Sequence, residues 1–233
     1  MSRLVQTVVV AALLALGSTA SAQNGFERMN ANAADAAFLA VAVTIDLGLL
    51  FIHPAPHERE SHPSGLDLWA RDSLDWRNPV AARRTSDWLL RSFMVSAVFA
   101  PPLGNLDSEE ATWNGSLVGF EALAATQLIT GLTKHAIRRE RPDDAGNETY
   151  ASFFSGHSST SFAAATMLTI YTQEYDWGGD VGRWAIPAAA YSTATLTGYL
   201  RIAGRRHWLT DVLVGAAVGT GTAWLTYELR TGG

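Results

Sequence analysis

The apolar residues of this chain fall into six long segments separated by polar stretches. The segments cover roughly 36–52, 88–104, 114–134, 158–172, 184–200 and 208–227. They are rich in Ala, Leu, Val and Thr, and none shows the sustained apolar–polar alternation that is typical of a β-strand. Gly, Pro and charged residues cluster between them, above all in 53–86, 135–156 and 173–183. The pattern predicts an all-α fold, a six-helix bundle.

The N-terminus has the organisation of a secretory signal peptide. Arg3 supplies the positive charge, residues 8–16 form an apolar core, and residues 20–22 give an A-x-A cleavage site. The apolar run is short for a membrane-spanning helix. We therefore predict a signal peptide over 1–22 and a single helical domain over 23–233, located in the periplasm or cell envelope.

The relation of the helices to a membrane is less clearly indicated. Seven of the eight tryptophans lie near segment ends, as in an interfacial aromatic belt. Most segments are nevertheless short for a hydrocarbon core about 30 Å thick, and ionisable residues such as Asp46 and Glu121 interrupt them. A cleaved signal leaves residue 23 outside the membrane, so three spanning segments would place Lys134 in the cytoplasm. An exported protein would need this residue on the other side. These features favour a bundle that is soluble or lies on the membrane surface, with an integral membrane form as the alternative.

Composition narrows the classes of partner and of site. The chain has no cysteine, which excludes disulfides and thiolate sites. Removing Arg3 from the 17 basic residues leaves 16 against 22 acidic ones, a net charge of −6 for residues 23–233. This balance disfavours nucleic acid as a partner.

Three short polar motifs carry the candidate chemistry. They are Lys134-x6-Arg141-Pro142, Ser155-Gly156-His157 and Arg201-x5-His207-x3-Asp211. Together they contain two histidines, one carboxylate, three cations and a glycine turn, a set that suits transfer of a phosphoryl group. Lys134 is the only lysine of the chain.

The spacing of His207 and Asp211 predicts an oriented nucleophile. Residues four apart on a helix share one face, so the carboxylate can accept the proton of one ring nitrogen and leave the other with a lone pair. The same spacing is also common among incidental surface pairs.

The other two motifs predict an anion site. Ser155-Gly156-His157 precedes a helix start, where free N–H groups bind anions, and His157 could protonate a leaving oxygen. Lys134 and Arg141 are seven apart and could share a helix face before Pro142. The simpler alternatives are a capped helix start with an incidental histidine, and solvated basic residues at helix ends.

The motifs stand in the order and spacing of a known family. The chain resembles the type 2 phosphatidic acid phosphatase and vanadium haloperoxidase superfamily, whose signature is K-x6-R-P, P-S-G-H and S-R-x5-H-x3-D, over residues 134–211. Two positions depart from it: Phe154 replaces proline and Leu200 replaces serine. The first change concerns the rigidity of the loop, and the second removes a hydroxyl from the phosphate site.

The resemblance implies a helical fold with a six-helix core and a role for each motif residue. His207 would attack phosphorus and become a phosphohistidine, Asp211 would orient it, and His157 would protonate the departing alkoxide. The phosphoryl oxygens would be held by Lys134, Arg141, Ser155, Gly156 and Arg201. No metal and no cofactor are expected, although vanadate could occupy the phosphate site.

These roles predict an exported, metal-independent phosphatase that acts on phosphate monoesters or on lipid phosphates and diphosphates. The expected partner is a phosphorylated lipid or a small phosphate ester, with membrane contact as an option and without nucleic acid. Two alternatives remain: a vanadate-dependent haloperoxidase, and a non-catalytic binder of phosphorylated lipid. The sequence does not name the substrate.

A second polar cluster is interpreted as a solvated loop. It contains His53, His57, Glu58, Glu60 and His62, in a spacing that matches no metal-site template. A metal site there is the alternative. His135, beside the only lysine, is expected to be structural.

Overall fold

The computed structural model describes residues 25–29, 31–54, 62–104, 108–143 and 149–232, which form helices and connections without a β-strand. A short 3₁₀ turn (Gly25–Arg28) precedes seven α-helices. They are α1 (Ala33–Leu50), α2 (Gly65–Ser73), α3 (Pro79–Gly104), α4 (Glu109–Ile137), α5 (Gly156–Glu174), α6 (Gly179–Ala203) and α7 (Leu209–Thr231). The all-α prediction is confirmed, and the described helices number seven rather than six. The predicted signal peptide lies outside the described residues.

The additional helix α2 lies in a stretch that the sequence pattern predicted to be a connection. Ser64 caps it: the Asp67 N–H donates to the Ser64 hydroxyl at 3.2 Å, and the Ser64 N–H donates to the Asp67 carboxylate at 2.9 Å. This reciprocal capping box supplies partners for two of the N–H groups that a helix start leaves unpaired. At nine residues, α2 is too short for a periodic apolar pattern to reveal it.

Helix α5 lies at the centre of the bundle and contacts α3, α4, α6 and α7. Its sequence explains this position, because small residues occur all around it. Ala163, Ala164, Ala165 and Ser159 are fully buried. A helix without a large polar face can be surrounded by other helices.

Two glycines let α7 approach α5 at the backbone. A β-carbon at Gly215 would lie 2.7 Å from the carbonyl oxygen of Ser155, and one at Gly219 would overlap the carbonyl of Ser159. The Gly-x-x-x-Gly spacing therefore marks a close helix contact, as in small-residue helix packing generally. This contact fixes the start of α5 against the start of α7.

The opposite end of the bundle is held by aromatic and ionic contacts. Phe26 from the 3₁₀ turn packs against Tyr171, Tyr175 and Tyr227. Nearby, Arg230 pairs with Asp35 at 2.7 Å and with Glu121 at 3.0 Å. Glu121, which interrupts an apolar segment, is thus compensated by a cation.

The surface carries several features that are relevant to membranes. Among the described helices, α4 is the one that is long and apolar enough to cross a bilayer, and half of its most apolar stretch is buried in the protein. Six tryptophans are exposed, although not all of them lie near helix ends: Trp69, Trp76, Trp88, Trp113, Trp184 and Trp224. Trp208, which the sequence also assigned to the belt, is instead buried beside the polar motifs.

The glycine contact predicts a matched pair of stability effects. Gly219→Ala should lower the free energy of unfolding by about 1–3 kcal/mol, because its methyl group forces the α5 and α7 backbones apart. Gly221→Ala, on the exposed side of the same helix with nothing within 4 Å, should be neutral or stabilising by up to about 1 kcal/mol. Thermal unfolding of both variants measures the difference. Equal midpoints would contradict the close contact.

Candidate active site

The ends of four helices bring the three motifs together. Lys134 lies in the last turn of α4, Ser155 caps α5, Arg201 lies in the last turn of α6, and His207 immediately precedes Trp208, the N-cap of α7. The sequence separates these residues by up to 73 positions, and the fold places them at one end of the bundle.

His207 is almost fully buried and is oriented by a backbone carbonyl. Its Nδ1 lies 2.8 Å from the carbonyl oxygen of Ser152. A carbonyl can only accept, so Nδ1 carries the proton and Nε2 keeps its lone pair. The Asp211 carboxylate lies 3.8 Å from Nδ1, an ion-pair distance. The predicted hydrogen bond between them is not made, and His207 precedes the helix that holds Asp211.

Asp211 accepts hydrogen bonds from two residues that position His207, Ser152 and Trp208. Its carboxylate accepts the Ser152 hydroxyl at 2.6 Å and the Trp208 backbone N–H at 2.9 Å. The first bond positions the residue whose carbonyl orients His207, and the second positions the residue next to His207. Burial raises the pKa of Asp211, and the hydrogen bonds from Ser152 and Trp208, together with the charge of Arg139, act in the opposite direction.

Arg139 is a buried cation that the sequence analysis missed. Its guanidinium donates to Asp211 at 2.5 Å, to Asp67 at 2.7 Å and to the Thr210 hydroxyl at 2.7 Å. Burial alone would raise the pKa of Asp67, but hydrogen bonds from Thr210, Ser64 and Arg139 lower it to about 2. Arg139 therefore ties α2 to the start of α7. Its position inside the variable part of the first motif was the available signal.

His157, the second residue of α5, is paired with a carboxylate that the sequence analysis also missed. Its Nε2 lies 2.7 Å from the Asp87 carboxylate of α3, which Arg201 also contacts at 3.2 Å. Burial lowers the pKa of His157 to about 4, although the Asp87 contact favours its charged form. Nothing in the motif pattern pointed to Asp87, because it lies in the half of the chain that carries no motif.

The three cations approach the site in different ways. Lys134 Nζ lies 3.5 Å from the position that a β-carbon of Gly156 would occupy. Arg141 is buried and donates to the carbonyl of Arg206 at 3.1 Å. The prediction that it shares a helix face with Lys134 is wrong, because α4 ends at Ile137 and Arg138 adopts the left-handed conformation.

Arg201 retains unused donor capacity. Its Nη1 donates to the Ser86 hydroxyl at 3.0 Å, whereas its buried Nε has no hydrogen-bond partner among the described residues. Burial lowers the pKa of Arg201 to about 9. A buried donor of this kind is costly unless a ligand accepts its hydrogen bond.

The start of α5 supplies neutral donors. Ser155 caps the helix by accepting the Ser158 N–H at 3.3 Å, and Gly156 is its first residue. Helix N-termini of this kind bind anions. The two departures from the family pattern, Phe154 and Leu200, are both buried.

Residues of all three motifs influence the pKa of His207. Burial lowers its pKa well below the usual range, and the charges of Arg141, Arg201, Lys134 and His157 lower it further. All of these groups are therefore close enough to influence one imidazole. His207 is neutral near pH 7, with a lone pair on Nε2.

The remaining polar residues of interest lie outside this group. His135 contacts the carbonyls of Gly131 and Ile52, both at 2.8 Å, consistent with the expected structural role. His53 and His62 are described, and no group of three or more metal-ligating residues occurs in the described chain. His57, Glu58 and Glu60 lie outside the described residues.

Comparison with known proteins identifies the family. A family model described as the PAP2 superfamily matches residues 117–232, which include all three motifs. The chain belongs to the PAP2 superfamily. The expected resemblance is confirmed, and the PAP2 region covers α5, α6 and α7 and most of α4.

Curated relatives of this PAP2 protein match over part of their length. A lipid A 1-phosphatase of Porphyromonas gingivalis is 40% identical over 111 residues, which make up 46% of this chain and 22% of that protein. A PA-phosphatase related-family protein of Dictyostelium discoideum is 28% identical over 126 residues, 48% of this chain and 46% of that protein. The chain thus matches less than half the length of either relative.

Two solved structures share the fold. LpxE of Aquifex aeolicus superposes with a TM-score of 0.54 at 18% identity, over 73% of this chain and 99% of that one. A transmembrane PAP2-type phosphatidylglycerolphosphate phosphatase of Bacillus subtilis superposes with a TM-score of 0.51 at 19% identity, over 97% and 92%. At this identity the likeness establishes the helical fold.

Because Arg139 bridges Asp67 and Asp211, we expect its replacement to lower turnover, whereas replacement of the neighbouring Arg138 should not. Arg139→Met should lower turnover of a phosphate ester at least tenfold, because Asp211 loses its cation and no longer fixes the segments that hold His207. Arg138→Met is the matched control, because Arg138 is exposed and its side chain makes one hydrogen bond within the described residues, to the His135 carbonyl. The measurements are kcat and the thermal unfolding midpoint. Equal kcat values in the two variants would contradict the positioning role.

Proposed function

We propose that this PAP2 superfamily protein is a phosphatase that hydrolyses phosphate esters through a phosphohistidine on His207, without a metal ion. The observation that carries the proposal is an imidazole oriented by the Ser152 carbonyl, whose pKa is lowered first by burial and then by three cations and a second histidine. The cations match the charge of a phosphoryl group and of its transition state.

In the first step, the Nε2 lone pair of His207 attacks phosphorus and the bond to the ester oxygen breaks. The departing alkoxide takes a proton from His157, leaving a neutral alcohol and a phosphohistidine. Lys134, Arg141 and Arg201 stabilise the phosphoryl oxygens, and the first N–H groups of α5 add neutral donors.

In the second step, a water molecule attacks phosphorus and gives a proton to His157. The P–N bond breaks, inorganic phosphate leaves, and His207 returns to its neutral form. His157 is thereby protonated again for the next cycle, so the proton balance closes without another group.

The different surroundings of the two rings favour His157 as the proton donor and His207 as the nucleophile. His157 has a carboxylate, Asp87, at hydrogen-bond distance, whereas the ring of His207 faces a backbone carbonyl. A proton is therefore retained more readily by His157 than by His207. The negative charge of a bound phosphate ester shifts the pKa of His157 upward from about 4.

A phosphorylated lipid is the substrate class that we propose. The relatives include a lipid A 1-phosphatase and a phosphatidylglycerolphosphate phosphatase. Exposed apolar side chains, including the six exposed tryptophans, suit contact with a membrane surface. We further propose that the protein acts at the cell envelope.

The phosphohistidine predicts that His207→Ala abolishes turnover. The wild type, mixed with ³²P-labelled substrate and quenched in base, should carry label that is lost on acid treatment, and the variant should carry none. His62→Ala is the control, because His62 is exposed and does not line the cavity that contains Lys134, Arg141 and His157. EDTA should leave the rate unchanged. Turnover by the folded His207→Ala variant, or loss of activity in EDTA that a divalent metal restores, would refute the mechanism.

The acid role of His157 predicts a dependence on the leaving group. In His157→Ala, turnover of alkyl phosphates should fall by about 10²–10⁴-fold, and turnover of nitrophenyl phosphate should fall much less, because nitrophenolate leaves without a proton. For the wild type, kcat/KM for alkyl phosphates should rise as pH falls from 7 toward 4, where the free His157 becomes protonated. Equal losses for both substrates would show that the role is misassigned.

A further inference from the structure

A cavity of about 550 Å³ opens from the active site along α1, α3 and α4. Lys134, Arg141, Gly156 and His157 line one part of it. Apolar side chains dominate the rest of the wall, among them Val43, Leu47, Met94, Val98, Phe120 and Leu123. Its volume lies within the roughly 300–1,000 Å³ of small-molecule sites. One molecule could therefore reach both the cations and the apolar wall.

The α4 residues on this wall show the direction of the cavity. Phe120, Leu123, Gln127, Gly131 and Lys134 recur at intervals of three or four and so follow one face of the helix. The 14 residue steps from Phe120 to Lys134 span about 21 Å at 1.5 Å per residue. The cavity thus has a charged end and an elongated apolar part.

A carboxylate lies between these two parts. Asp46 of α1 lines the cavity, and its Oδ1 is 3.6 Å from the position that a β-carbon on Gly131 would occupy. Gly131 is less than one helical turn from Lys134. No hydrogen bond or ion pair of Asp46 occurs within the described part of the chain, and burial raises its pKa without a compensating cation. A carboxylate in such a wall favours a ligand that brings a donor.

We infer that the cavity binds the whole of an amphiphilic phosphate ester: the phosphate at the cations, a hydroxyl or amide donor at Asp46, and one hydrocarbon chain along the apolar wall. This inference rests on the proposed function, because it assumes that a phosphate group occupies the cationic end. Its content is the chemistry of the remainder of the substrate, and Asp46 becomes a residue that determines specificity.

A site for the hydrocarbon chain predicts that kcat/KM depends on the length of that chain and that Val43 controls the dependence. In the wild type, kcat/KM should rise at least tenfold from butyl phosphate to octyl phosphate, below micelle formation, because each buried methylene contributes up to about fourfold. Val43→Trp should remove most of this rise by filling the cavity. Val41→Trp is the matched control, because Val41 lies on the same helix, is exposed and does not line the cavity.

The Asp46 contact predicts a second dependence. We expect 1-lauroyl lysophosphatidate, which has a free hydroxyl near its phosphate, to be hydrolysed about tenfold more efficiently than dodecyl phosphate. Asp46→Leu should abolish this preference, and Asp46→Asn, which keeps an acceptor oxygen, should retain part of it. The readout is a ratio of two substrates in one preparation, so a general loss of folded protein does not affect it.

The outcomes separate this inference from the proposed function. If nitrophenyl phosphate is hydrolysed but kcat/KM does not change with the length of the alkyl chain, the proposed site for the hydrocarbon chain is refuted. The proposed phosphatase activity is then unaffected. A length dependence that is equal in Val43→Trp and Val41→Trp would assign it to adsorption on the protein or membrane surface, and would likewise overturn the inference. An unchanged lysophosphatidate preference in Asp46→Leu would remove Asp46 from the site. Absence of hydrolysis of every phosphate ester would refute the proposed function itself.

Discussion

The buried guanidinium of Arg139, held between two carboxylates, is the interaction on which the catalytic end of the fold depends. It lies just after α4 and contacts Asp67 of α2 and Asp211 of α7. Removing one partner of such a buried pair leaves a charge without compensation, at a cost of about 3–5 kcal/mol. The remaining acceptor capacity of both carboxylates is filled by Ser64, Thr210, Ser152 and Trp208. Both carboxylates thus have several donors, and the two Nη groups of Arg139 are paired, whereas its buried Nε has no hydrogen-bond partner among the described residues. Because the members share partners, no single one can be removed without affecting the others.

Burial and charge also explain how two histidines close to the same cations can differ in their affinity for a proton. Burial and positive neighbours disfavour a proton on both rings. His157 has the Asp87 carboxylate at 2.7 Å from its Nε2, whereas the Asp211 carboxylate lies 3.8 Å from the Nδ1 of His207, so His157 is the ring on which a proton is less costly. Arg201 contacts that same carboxylate, which links one of the cations to His157. A bound dianion would ease the repulsion at both rings, and it would favour the protonated form most at His157, where Asp87 already stabilises it.

The sequence predicted that the three motifs form one site, and the structure brings them together, because each motif lies where a helix ends or begins. Ser155 and Gly156 begin a helix, and helix starts have recognisable caps. The hydrogen bond from His207 to Asp211 was mispredicted because a spacing of four was interpreted as helical, whereas Asp211 is the third residue of α7 and accepts the N–H of its N-cap. Arg139, Asp67 and Asp87 were missed for a different reason. A buried ion pair is defined by which distant segments meet, and neither periodicity nor a local motif carries that information. Helix α2 was missed because nine residues give too little pattern.

Helix α2 is short, but it helps to position the start of α7. It buries only Asp67 and Ala70, so its apolar contribution to stability is small. Asp67 accepts both the backbone N–H and the hydroxyl of Thr210 at 2.9 Å, and it shares Arg139 with Asp211. The short helix thus fixes the first turn of α7, and with it the segment that presents His207. In this fold the stability of the end that carries the motifs and the orientation of His207, the proposed nucleophile, depend on the same hydrogen bonds, so one cannot be changed without the other.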